Sequence, residues 1–110
     1  MNGSRFGLTE ATIEKITGIM ASHPRVEQAL LYGSRAKGNY KNGSDIDLTL
    51  MGQGLQTDDL LKIMGELDDL LLPYMIDLSL FHQLNHPELI EHIQRAGIVF
   101  YERTPAQSRL

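Results

Sequence analysis

Gly33-Ser34-Arg35-Ala36-Lys37-Gly38, followed by Ser44-Asp45-Ile46-Asp47-Leu48-Thr49-Leu50-Met51, decides how this chain is read. In the second run Asp45, Asp47 and Thr49 alternate with Ile46, Leu48 and Leu50. That is the period-two pattern of a strand with one buried and one polar face. The first run closes an earlier apolar strand, Val26 to Tyr32, at Gly33. A Gly-Ser turn after one strand and two carboxylates opening the next can hold a nucleoside triphosphate at one end and a divalent metal at the other.

Working outward, Thr9 offers an N-cap with Glu10 in the first turn, and Ile13, Ile16, Ile19 and Met20 recur at helical spacing. Pro24 ends that helix. Residues 34–44 form a polar connection with room for a short helical turn. Beyond Gly52 and Gly54, Thr57 caps a second helix with Leu60, Leu61, Met64, Leu67, Leu70 and Leu71 inward, stopped by Pro73. Met75 to Phe81 is a third strand, with Ile76, Leu78 and Leu80 on one face and Asp77 and Ser79 on the other. Asn85 or His86 caps a third helix that has Pro87 first and Leu89, Ile90 and Ile93 as its buried stripe. Gly97 ends it, and Ile98 to Tyr101 is a last strand. The order predicts an α+β (α/β-like) fold: a small mixed sheet with helices packed on one face and the other face left for a ligand. The expected limits are a loose leader over 1–8, one domain over 9–102 and a frayed tail over 103–110.

The bulk numbers narrow the classes. A chain of 110 residues supports one core. A net charge of −4 argues against a dedicated nucleic-acid binder, which carries a basic face. With no cysteine, disulfides and thiolate metal sites are excluded. The N-terminus lacks the apolar core of a signal peptide, and the most apolar region, Leu60 to Phe81, is too often interrupted by charge to span a bilayer. A soluble cytoplasmic protein is the expectation.

Successive residues on one strand face lie roughly 6.6 Å apart, so Asp45 and Asp47 can converge on one or two ions. Oxygen-only donors favour Mg²⁺ or Mn²⁺ over Zn²⁺. Asp77, on a neighbouring strand, completes the cluster. Without a cation three carboxylates repel one another and raise at least one pKa. At the turn, Gly33 lets the backbone approach a phosphate, Ser34 adds a donor, and Arg35 and Lys37 bring positive charge. Gly3-Ser4 and Gly43-Ser44 follow no apolar strand and read as turn chemistry alone. There is no Gly-Lys-Ser/Thr element, so the turn is not a P-loop. Among the tyrosines, Tyr40 is the candidate for stacking on a base; Tyr32, Tyr74 and Tyr101 are expected in or beside the core. His82 and His86 stand four apart, but Pro87 breaks the helix that would align them, which leaves loop and cap roles.

Gly33-Ser34, ten intervening residues and Asp45-x-Asp47 resemble the signature of the minimal nucleotidyltransferases, in the DNA polymerase β-like superfamily. The Arg35-Ala36-Lys37-Gly38 continuation, the Ser44–Leu48 run and a later strand bearing Asp77 add to that likeness, which covers most of the chain. The resemblance implies a palm-like fold in which Asp45 and Asp47 ligate metal and Asp77 positions or deprotonates an acceptor hydroxyl. Gly33 and Ser34 would hold the β- and γ-phosphates of a nucleotide, ATP by family default. It also implies a helical partner, because such proteins occur as antitoxins beside HEPN toxins or with a helical substrate-binding subunit, and transfer AMP to a toxin tyrosine. A small-molecule or RNA-end acceptor, or an antitoxin acting by contact alone, are the alternatives.

Overall fold

The computed structural model describes residues 4–104. Its elements run β1 (Ser4–Arg5), β2 (Leu8–Thr9), α1 (Glu10–Ala21), β3 (Gln28–Tyr32), α2 (Ser34–Lys37), β4 (Ile46–Met51), α3 (Thr57–Asp68), β5 (Ile76–Leu80), a 3-10 turn (Phe81–Gln83), α4 (Pro87–Ala96) and β6 (Ile98–Glu102). The main sheet has the order β5-β4-β3-β6. β4 runs parallel to β5, and β3 runs antiparallel to β4 and β6, so the sheet is mixed as expected.

Alternation decides what each strand buries. Ala29 and Leu31 of β3, Ile46, Leu48 and Leu50 of β4, and Leu78 and Leu80 of β5 join Ile13, Ile16 and Met20 of α1 and Ile63 and Leu67 of α3 in one core. Each of the Leu, Ile and Met side chains among them contributes about 1.5–3 kcal/mol on burial. Thr9 caps α1 as the sequence predicts, its hydroxyl accepting from the Thr12 amide at 3.2 Å. His86 is the cap of α4, its Nδ1 accepting from the Leu89 amide at 3.2 Å.

Four expectations change. Residues 4–8 are not a loose leader: β1 and β2 form a hairpin turning through Phe6 (φ 59°) and Gly7 (φ 75°), the paired positive torsions of a tight hairpin turn. Leu8 is fully buried, and the Phe6 ring lies 6.0 Å from that of Phe100. Arg103 is not frayed. Its guanidinium donates to the carbonyls of Val26 (3.0 Å), Met20 (3.4 Å), Ala21 (3.1 Å) and His23 (3.0 Å), around the C-terminal end of α1. The remainder of the expected leader and tail, 1–3 and 105–110, lies outside the described residues. α3 begins one residue earlier than read, with Gln56 rather than Thr57 as N-cap, and its inward stripe is narrower. Leu61 is 60% exposed and Leu71 88% exposed, while Ile63 and Leu67 are buried. The helix ends at Asp68, so the helical period that placed Leu71 inward no longer applies there.

The face opposite the core is not bare along its whole length. Thr49 on that face is fully buried, and its hydroxyl accepts from the Ser79 hydroxyl at 2.9 Å. Ile93 of α4, which neighbours β3, is buried outside the main core. The open part of the face is the end where β4 and β5 begin, and it carries the carboxylates.

Candidate active site

β4 and β5 are in parallel register with Ile46 beside Ile76 and Asp47 beside Asp77. Neighbouring strands stand about 4.8 Å apart, so Asp47 and Asp77 share one face at adjacent positions. Asp45 is exposed one residue before β4 begins, a slight trimming of the expected strand. The Asp47 carboxyl titrates above the ordinary carboxylate range, first because it is partly buried and then because Asp77 and Asp45 repel its charge. The predicted repulsion is therefore present, behind desolvation in size. Among the described residues, no three acidic or histidine side chains are gathered tightly enough to form a ready metal cage. The carboxylates are neighbours on one face rather than a closed ligand set. Their chemistry, all oxygen, still fits a hard divalent ion that takes its remaining ligands from another molecule.

Gly33 ties the turn to these carboxylates. It has φ 79° and ψ −156°, a conformation that only glycine adopts readily, and it opens the short helix α2. A Cβ built on it would overlap the Asp47 Oδ2 atom. The Gly33 backbone and the Asp47 carboxylate thus touch, and the two motifs form one site. α2 is closed by Gly38 in the left-handed region, whose amide donates to the Ser34 carbonyl at 2.9 Å. Ser34 is half-buried and Lys37 exposed.

Arg35 departs from its expected place. It is only 2% exposed, and its guanidinium is engaged by protein. Nε and Nη2 donate to the Ser44 carbonyl (3.1 and 2.9 Å), and Nη1 donates to the Phe6 carbonyl (2.8 Å). The cation also lies over the Tyr40 and Tyr74 rings, at 5.2 and 4.9 Å. A buried charge needs such partners. Arg35 therefore fixes the loop that delivers Asp45 instead of facing a phosphate. Tyr40, the candidate for stacking on a base, is packed between Arg35 and Gly7.

Sequence reasoning missed Tyr32. Its register partner is Asp47, and it stands on the carboxylate face, outside the main core. Burial raises its phenol above the usual range, Asp77 raises it further, a hydrogen bond with Ser79 opposes this, and Asp47 adds to the rise. The alternation of Gln28, Leu30 and Tyr32 against Ala29 and Leu31 held that information.

With this geometry in hand, comparison with known proteins is decisive for the family. Residues 14–106 match the model of the family described as polymerase beta, nucleotidyltransferase. The chain belongs to that family. No curated protein matches the nucleotidyltransferase chain by sequence. Among solved structures, it is similar to a toxin–antitoxin crystallised with AMP-PNP, at 18% identity and a TM-score of 0.67 over 86% of this chain and 77% of that one. It is also similar to the toxin–antitoxin MntA-HepT, at 17% identity and a TM-score of 0.62 over 90% and 76% of the two chains. A putative nucleotidyltransferase from Sulfolobus solfataricus gives 21% identity and a TM-score of 0.51 over 86% of both chains. At these identities the likeness is one of fold. Among the described residues, no helix of this nucleotidyltransferase is long and apolar enough to cross a membrane.

Proposed function

We propose that this nucleotidyltransferase moves a nucleoside monophosphate, AMP from ATP, onto a hydroxyl of a partner protein, and that it serves as the antitoxin of a helical HEPN-type toxin. The observation that carries the reading is the contact of Gly33 with Asp47, which joins a turn suited to phosphate to the carboxylates in one site. Family membership supplies the reaction class. The MntA-HepT and AMP-PNP-bound toxin–antitoxin neighbours support the partner and the nucleotide.

In this reading Asp45 and Asp47 hold Mg²⁺ or Mn²⁺, which supplies charge neutralisation for the triphosphate. Gly33 and Ser34 receive the β- and γ-phosphates through backbone and hydroxyl donors, and Lys37 adds charge from the exposed side of the turn. Asp77 is exposed beside Asp47 and orients the acceptor hydroxyl, taking its proton as the oxygen attacks the α-phosphorus. The new P–O bond forms as the α–β bridging P–O bond breaks, and pyrophosphate leaves.

The test is incubation with α-labelled ATP, Mg²⁺ and the protein encoded beside this chain's gene. Label is expected on that protein, and Asp77→Asn should slow its transfer at least about 100-fold, the range for losing a positioned base. Asp45→Asn should do the same. Neutralisation that survives both substitutions with no label moved would sink the proposal and establish an antitoxin acting by contact. Label on RNA or a small acceptor instead would establish the other transferase reading.

A further inference from the structure

Tyr32 brings a hydroxyl to the carboxylate face that the transfer as described leaves unused. Tyr32 is the register partner of Asp47, and Asp47 is the register partner of Asp77. The three side chains therefore rise in one row from the same face of three adjacent strands. β4 lies between β3 and β5 in the sheet, yet the Tyr32 phenol shares a hydrogen bond with Ser79 of β5. β3 and β5 stand about 10 Å apart, twice the strand spacing, so the ring has to cross β4 to make that bond. The charge of Asp77 also acts on the phenol more strongly than that of Asp47, its immediate neighbour in register. The hydroxyl is thus delivered to β5, beside Asp77.

The group that holds the phenol is itself held. Ser79 stands two residues beyond Asp77 on the same face of β5. Its hydroxyl donates to the Thr49 hydroxyl at 2.9 Å, and the Thr49 hydroxyl lies 3.5 Å from the Ser79 carbonyl. Thr49 is fully buried. Asp77 is in the opposite situation: it is exposed, near the start of a strand at the end of the sheet. A carboxylate so placed has several rotamers open to it, whereas a general base must hold one oxygen within hydrogen-bond reach of the proton it takes. Asp47 and Asp77 only accept hydrogen bonds when ionised. The phenol can supply a donor to them, because burial and the Asp77 charge keep it protonated at neutral pH. Phenylalanine would fill the same space without the cost of taking a hydroxyl out of water.

We propose that the Tyr32 hydroxyl is the positioning group for Asp77: it donates to one carboxylate oxygen and leaves the other turned to the acceptor hydroxyl. Hydroxyl protons rotate to suit their partners, and a charged acceptor makes the stronger bond. With the Tyr32 proton on Asp77, Ser79 turns to donate to the phenol oxygen and Thr49 turns to donate to Ser79. The row of hydroxyls then ends on the carboxylate. No proton leaves Tyr32, and the acceptor's proton still goes to Asp77. The inference rests on the reading of Asp77 as the base for the acceptor hydroxyl, and it adds the residue that aims that base.

The test compares label transfer from ATP with Mg²⁺ in the full chain, Tyr32→Phe, Ser79→Ala, Asp77→Ala and the double variant Tyr32→Phe with Asp77→Ala. The acceptor is the protein encoded beside this chain's gene. Tyr32→Phe keeps the ring and should lower kcat on the order of tenfold, with the KM for ATP within about twofold of the parent. Ser79→Ala leaves the phenol but removes its holder, and should lower kcat by less. In the Asp77→Ala background, Tyr32→Phe should change kcat by less than about twofold, because the residue it acts through is gone. A tyrosine that only supports the fold would cost as much in both backgrounds. That equal loss overturns the proposal, as does an unchanged kcat in Tyr32→Phe or a KM for ATP that rises as far as kcat falls. Label that moves to RNA or a small molecule changes the acceptor in the assay, and the same comparison decides. If the parent moves no label to any acceptor, the transferase reading fails and urea unfolding of the same four single and double variants decides the pairing. Midpoint shifts of Tyr32→Phe and Asp77→Ala that are not additive uphold the contact, and additive shifts overturn it.

Discussion

Gly33 and Asp47 show how much of the site rests on single residues. Gly33→Ala forces a side chain into a positive-φ position and against the Asp47 carboxylate. It should cost about 1–3 kcal/mol of stability and abolish nucleotide transfer, measured by urea unfolding and by label release. Asp47 carries an opposing effect. Its carboxyl titrates high through burial and the charges of Asp77 and Asp45. A raised folded-state pKa means the native protein binds the proton more tightly than the unfolded chain does. The associated stability is present below the ordinary carboxylate value and is lost as pH rises through the raised one. Asp47→Asn should therefore raise the melting temperature of the metal-free protein at neutral pH, and the gain should shrink as pH falls through the carboxylate range. A melting temperature that falls at neutral pH would contradict this. The residue that makes the site useful is thus one that the empty fold would be more stable without.

At the scale of elements, two arginines hold the connections that strand and helix patterns leave open. Arg103 donates to the carbonyls of Met20, Ala21 and His23 at and just beyond the end of α1, where the regular helical hydrogen bonding runs out. Hydrogen bonds to a charged group contribute about 1.5–3 kcal/mol, so Arg103→Ala should destabilise by about 2 kcal/mol in urea unfolding. Arg35 joins the β1–β2 hairpin, the Ser44 loop and two tyrosines. Arg35→Lys keeps the charge but loses the planar fork that reaches the Ser44 and Phe6 carbonyls together, and should recover little of the stability lost in Arg35→Ala, where each hydrogen bond to the charged group contributes about 1.5–3 kcal/mol. Full recovery by lysine would show that charge alone suffices. Both roles were invisible in the sequence for one reason. Their acceptors are main-chain carbonyls far along the chain, which leave no pattern of residue types. The strands were legible because Ile46, Leu48 and Leu50 alternate with polar neighbours, a signal contained within seven residues. Gly33 and Asp47 were singled out separately, while their contact appears only once β3 pairs with β4. The stripe of α3 failed at Leu71 because periodicity cannot show where a helix stops.

At the scale of the whole molecule, the sheet brings Asp47 and Asp77 into register from segments that a helix separates, yet it does not gather three carboxylates into a closed cage. The mixed topology was readable from the order of elements; how closely acidic side chains converge depends on strand twist and rotamers, which that order does not fix. The geometry makes a thermodynamic prediction. An incomplete ligand set on a flat face should hold a divalent ion weakly until the phosphates of a nucleotide add further oxygens. A ligand at 100 times its dissociation constant stabilises the native state by about 2.7 kcal/mol, and for a domain near this size each kcal/mol is worth about 4–8 °C. Mg²⁺ and ATP together should therefore raise the melting temperature on the order of 10 °C at saturation. Either one alone should move it far less. Asp45→Asn should remove the joint effect while leaving the unliganded melt close to that of the parent, since Asp45 is exposed outside the strand. If Mg²⁺ alone produced the full shift, the carboxylates would already form a complete cage in solution and the phosphates would not be needed to finish it. The differential between the joint and single shifts measures how far the nucleotide, rather than the fold, builds the metal site.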